Sequence, residues 1–96
     1  MFLERRTVSR KTPVDGKLEI SEEAARQLSS IGSALMLEFG GTRVPGMIAT
    51  MVCSCRGAEN PHEHQFVESE ILKALVTGAE VDLNLRERVL SITVAC

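Results

Sequence analysis

Two cysteines spaced C-x-C, Cys53 and Cys55, and both histidines of the chain, spaced H-x-H at His62 and His64, carry the chemistry most visible in this sequence. Between them, Arg56-Gly57-Ala58-Glu59-Asn60-Pro61 has the small, polar and Pro residues of a loop. The stretch therefore reads as a hairpin. With a loop over residues 56–61, the register pairs Cys55 with His62 and Cys53 with His64, and strand alternation turns all four to one face. Four sulfur and nitrogen ligands on one face suggest a transition metal, zinc foremost. A flat hairpin would be strained, because i and i+2 side chains stand roughly 6 to 7 Å apart while zinc takes thiolates at about 2.3 Å and imidazoles at about 2.0 Å. A bulge at Gly57 relieves this, as does exchange of one ligand for Cys96; as an alternative to ligation, Cys96 is in register with Leu90, Ile92 and Val94 as a core thiol. Without a metal, the same residues are small buried hydrophobes and solvated turn histidines.

Elements on either side must position this stretch. Pro13-Val14-Asp15-Gly16 is a turn signal, and Lys17-Leu18-Glu19-Ile20 alternates as a short strand does. Ser21 is placed to cap a helix whose first turn holds Glu22 and Glu23, which runs to about Ser30 and is ended by Gly32. Leu35, Leu37 and Phe39 alternate in a strand closed by Gly40-Gly41. Residues 47–55 are nearly continuous in apolar and small side chains, the pattern of a central strand buried on both faces. A second capped helix begins around Glu68-Ser69-Glu70 and is stopped by Thr77-Gly78. Val81, Leu83 and Leu85 then pair with Leu90, Ile92 and Val94 across Arg86-Glu87-Arg88 as a terminal hairpin. Residues 21–39 and 68–85 share the order helix, Leu, Gly, alternating strand. Such a duplication predicts an α+β, mostly β fold, a small barrel of two related β-α-β pieces with the Cys/His hairpin.

Ninety-six residues with three Phe, no Trp and no Tyr make one domain with a thin aliphatic core, which a metal would help to hold. An odd number of cysteines fits reduced thiols or ligands better than a disulfide framework. No apolar run reaches the length of a membrane span, and the first residues lack the apolar stretch of a signal peptide, so a cytoplasmic location without membrane contact is expected. Charge is divided unevenly. Residues 1–17 carry Arg5, Arg6, Arg10, Lys11 and Lys17 against Glu4 and Asp15, a charge of +3, while the remaining six basic and eleven acidic residues give -5. A basic N-terminal arm over 1–17 and a single globular domain over 18–96 follow, with the five cations as the expected polyanion contacts.

Val8-Ser9-Arg10-Lys11, then Asp15-Gly16-Lys17-Leu18-Glu19-Ile20-Ser21 and a helix ending at Leu28, resembles the swapped-hairpin DNA-binding family of AbrB and MraZ over residues 8–39. Ser21 stands in place of that family's Pro and Lys17 in place of its usual Arg. The resemblance implies a dimer in which Arg10, Lys11 and Lys17 meet phosphates or bases. Arg6-x-x-x-Arg10 followed by Gln27-x-Ser29-x-x-Gly32 resembles the PilZ pattern and implies a cyclic di-GMP ligand; there the Ser-containing segment opens a strand. His62-x-His64-x-x-x-Glu68 resembles the first metal motif of cupins, but only 28 residues follow Glu68 and none is His, so the second motif is missing. No Ser-His-Asp set or phosphate loop accompanies it. The expected protein is thus a non-enzymatic, metal-stapled, homodimeric DNA-binding regulator, with a cyclic-dinucleotide binder or a structural zinc module for a protein partner as alternatives.

Overall fold

The computed structural model describes residues 1–31, 35–53 and 62–95, with the backbone alone at positions 53 and 62. Gly32, Cys55, the loop residues 56–61 and Cys96 lie outside the described residues. The strands run β1 (Phe2–Thr7), β2 (Lys17–Ile20), β3 (Met36–Phe39), β4 (Thr42–Pro45), β5 (Met47–Cys53), β6 (His62–Glu68), β7 (Glu80–Arg86) and β8 (Val89–Val94). Helix α1 (Lys11–Asp15) precedes β2, α2 (Glu22–Ser29) follows it, and a 3-10 helix, Glu70–Ala74, joins β6 to β7. This is a mostly-β α+β domain with two sheets.

The expected closure into a barrel is not found among the described residues. A five-stranded sheet has the order β1-β7-β8-β3-β4, and a separate three-stranded sheet has the order β2-β6-β5. The chain passes from one to the other at Gly46, whose amide donates to the Leu35 carbonyl at 3.1 Å. A Cβ at this position would collide with Leu37 Cδ1, so a side chain here requires the buried Leu37 to shift. Both sheets contribute to one core: Leu37, Val81, Leu83, Leu90 and Ile92 come from the first, Leu18, Ile20 and Val67 from the second. Each buried Leu contributes about 1.5–3 kcal/mol by leaving water.

Local signals account for most elements. Ser21 Oγ accepts from the Ala24 amide at 3.1 Å, and Glu22 and Glu23 complement the positive end of the α2 dipole. Ala24, Ala25 and Leu28 form its buried stripe. Gly40 and Gly41, at φ 60° and 81°, make the turn between β3 and β4 that the strand twist favours. The expected terminal hairpin is present as β7 and β8, paired from Val81↔Val94 to Arg86↔Val89.

Two strands differ from expectation. Residues 1–17, expected as a basic arm, contain β1, paired with β7 at the edge of the larger sheet, and α1. Strand β5, expected to be buried on both faces, is the edge of the smaller sheet, and Met47, Met51 and Val52 are 57%, 49% and 65% exposed. A continuous apolar run marks a strand without saying which neighbours cover it. That distinction decides where the functional surface lies.

Candidate ligand-binding cleft

In the three-stranded sheet, alternation separates two faces of opposite character. Val67, on the central strand β6, pairs with Leu18 and Ile48 on the inner face and is fully buried. Its neighbour Phe66 pairs with Glu19 and Ala49, and lies half-buried on the outer face. Lys17, Glu68 and Met47 share that outer face, as do His64 and its cross-strand partner Met51. Helix α1 borders it. Gly16 closes α1 in the left-handed region at φ 69°, its amide donating to the Thr12 carbonyl at 2.8 Å, and a Cβ there would stand 2.9 Å from the Ser69 carbonyl oxygen. This reversal sets Arg10 and Lys11 beside β2 and β6.

The result is a cleft of about 610 Å³. Met51 and Phe66 supply its apolar floor, Val52 lines its border on β5, Arg10, Lys11 and Lys17 supply its cations, and Asp15 and Glu19 its carboxylates, with His64 between. The size is within the roughly 300–1,000 Å³ of ligand pockets. His64 Nδ1 lies 3.0 Å from Glu19 Oε2, a hydrogen bond in which the ring N–H donates to the carboxylate, and Nε2 has no partner among the described residues. The His64 and Phe66 rings follow one another along β6, with centroids 6.5 Å apart and planes at 40°. Lys17 Nζ lies 3.5 Å from Glu68 Oε2. Arg10 and Lys11 are exposed, and neither has a carboxylate oxygen within 4 Å among the described residues. A neighbouring cleft of about 690 Å³ shares Asp15 and Lys17 but adds Glu68 and Glu70 against only one further cation, Lys73. Its charge does not favour an anion.

The fold redistributes the five cations expected to act together. Arg5 is committed to Asp82 across β1 and β7, with Nε donating to Oδ1 at 2.7 Å. That hydrogen bond, reinforced by charge attraction, holds the Asp82 carboxyl below its ordinary range. Arg6 Nε lies 3.6 Å from Glu4 Oε2, the oxygen that also accepts from the Ser21 amide at 2.9 Å. Only Arg10, Lys11 and Lys17 meet at the cleft. Ser29, which the PilZ resemblance requires to open a strand, is the last residue of α2.

For the metal residues, β5 and β6 do pair antiparallel, but the register is shifted by two from that expected. Cys53 is opposite His62, and His64 is opposite Met51. Cys55 lies outside the described residues. Among the described residues no group of three or more His, Cys, Asp or Glu is arranged to hold a metal. Sequence reasoning also missed Phe66, Met51 and Glu19. The alternation His64-x-Phe66 carried a signal for the first, since it puts both rings on one strand face. Among the described residues no helix is long and apolar enough to cross a membrane. Comparison with protein families, with curated proteins and with solved structures finds no match for this chain.

Proposed function

We propose that this chain is a non-enzymatic nucleic-acid-binding domain that takes phosphates at the Arg10, Lys11 and Lys17 rim of the cleft on its smaller sheet. The observation carrying this reading is that Arg10 and Lys11 stand exposed on the rim, free of carboxylates among the described residues, while Arg5 and Arg6 are neutralised elsewhere. It keeps the DNA-binding reading of the sequence and narrows its contacts from five cations to three. Phosphate contacts from Arg10 and Lys11 give a salt slope of about -1.8 on duplex, so affinity falls about 12-fold between 50 and 200 mM salt, and by more if two copies bind together or if Lys17 exchanges Glu68, 3.5 Å away, for a third phosphate. The double variant Arg10→Ala/Lys11→Ala is expected to lose most of that slope. A protein that retards neither duplex nor single-stranded DNA at 50 mM salt contradicts the reading.

A zinc staple in the hairpin is a second reading, supported by the Cys53↔His62 register and by His64, whose Nδ1 is taken by Glu19 and whose Nε2 faces no partner among the described residues. Carboxylates commonly orient metal-ligating histidines in this way. Elemental analysis of untagged protein is expected to find stoichiometric zinc that is lost from Cys53→Ser/His64→Ala together with thermal stability. Metal-free protein of unchanged stability removes this reading and leaves the phosphate site intact.

A further inference from the structure

We infer that the outer face of the three-stranded sheet is a stacking platform for unpaired nucleobases, with Phe66 as the ring on which a base lies. The inference rests on the phosphate-binding reading above and adds to it the part of the nucleic acid that is recognised.

Three features converge here. Phe66 is on the central strand and is flanked by Glu19 and Ala49, the second of which is too small to cover its ring from the β5 side. Its outer face therefore opens into the cleft rather than into the core, which Val67 and its partners fill. The His64 ring extends the platform along β6 by one step of the alternation, and Met51, across from it on β5, supplies a polarizable flank. Second, the cations stand on the border of the platform rather than on its floor. Arg10 and Lys11 come from the start of α1, Arg10 as its N-cap, and Lys17 from β2, so a strand whose bases lie on β6 would carry its phosphates along that side. This is the arrangement by which sheets hold single strands, bases on aromatic rings and backbone along basic residues.

Third, cations outnumber carboxylates along this lining, Arg10, Lys11 and Lys17 against Asp15 and Glu19, and Glu19 is oriented by its hydrogen bond with His64. Asp15 sits at the end where this cleft meets its acidic neighbour, which directs phosphates toward Arg10 and Lys11. A duplex fits poorly, because its bases are already stacked on one another and the platform would be left unused.

The test uses the whole chain and four probes of about twelve nucleotides: oligodeoxyadenylate, oligoriboadenylate, an abasic strand with the same number of phosphates, and a duplex of the same length. Oligoriboadenylate beside its deoxy counterpart separates RNA from DNA as the source of the base. Stacking predicts that the base-bearing strand of at least one sugar type binds about 5- to 100-fold more tightly than the abasic strand, and that Phe66→Leu removes the preference while leaving the salt slope unchanged. Equal affinity for base-bearing and abasic strands overturns the inference and leaves the phosphate site standing. So does a preference that survives Phe66→Leu. Tighter binding of the duplex than of either single strand also overturns it, and the absence of binding to every probe removes the platform and the phosphate reading together. The comparison of strands on the unaltered protein holds even if Phe66→Leu folds poorly.

Discussion

The two sheets are built from the same alternation of side chains and differ in how the cations beside their outer faces are held. On the five-stranded sheet, two ion pairs cross the outer face, Arg5 with Asp82 and Arg43 with Glu38, whose other oxygen is 3.5 Å from Ser91 Oγ, while Glu80 and Arg86 at the ends of β7 stand outside any ion pair among the described residues. On the three-stranded sheet, the outward residues include Phe66, Met51 and Met47, and the exposed Arg10 and Lys11 stand at the rim. A surface whose central cations are held in ion pairs offers less to an anion. One that exposes rings and methionines beside cations is suited to a partner of opposite charge with an apolar part, which is how a nucleotide is made.

The contrast breaks first, and with the largest effect, if stability does not follow it. Leu83→Ala, on the inner face of the larger sheet and fully buried, is expected to cost about 2–5 kcal/mol by chemical denaturation, through lost transfer energy and the cavity left behind. Phe66→Leu, half-buried on the outer face of the smaller sheet, is expected to cost less than about 1.5 kcal/mol. Comparable losses from the two would mean that Phe66 serves the core rather than the surface.

A smaller effect sharpens the larger sheet's role through pH. The Arg43 hydrogen bond lowers the Glu38 carboxyl, as the Arg5 hydrogen bond lowers that of Asp82. Because these folded-state values are depressed, the pairs contribute stability above the ordinary carboxylate range and lose it as pH falls through the lowered values. Asp82→Asn/Glu38→Gln is therefore expected to melt below the unaltered protein at neutral pH and to converge with it in acid. A gap that widens as pH falls would contradict the pairing.

Sequence signals of short range were legible here. The Ser21 cap with Glu22 and Glu23, the Gly40-Gly41 turn and the alternation of 81–85 with 90–94 each specify an element within a few residues, and α2, the β3–β4 turn and the terminal hairpin follow them. What was not legible depends on pairing between distant segments. The outer face of the smaller sheet exists because Glu19 pairs with Phe66, and an apolar run such as β5 looks the same whether strands flank it on both sides or, as here, on one. For the same reason the basic residues of 1–17 looked like one set. Only the pairing of β1 with β7 assigns Arg5 to Asp82 and leaves Arg10 and Lys11 for a ligand.

The division between the sheets is tested most directly by removing the same charge from each. Arg10→Ala/Lys11→Ala takes two cations from the cleft, and Arg5→Ala/Arg43→Ala takes two from the outer face of the larger sheet. Binding of oligodeoxyadenylate to each variant, measured between 50 and 200 mM salt, is expected to show the slope reduced by about 1.4 in the first, since each lost contact on a single strand removes about 0.7. The second is expected to keep the slope of the unaltered protein. Equal losses of affinity and slope in the two variants would show attraction by overall charge alone, and would contradict a binding site on the smaller sheet.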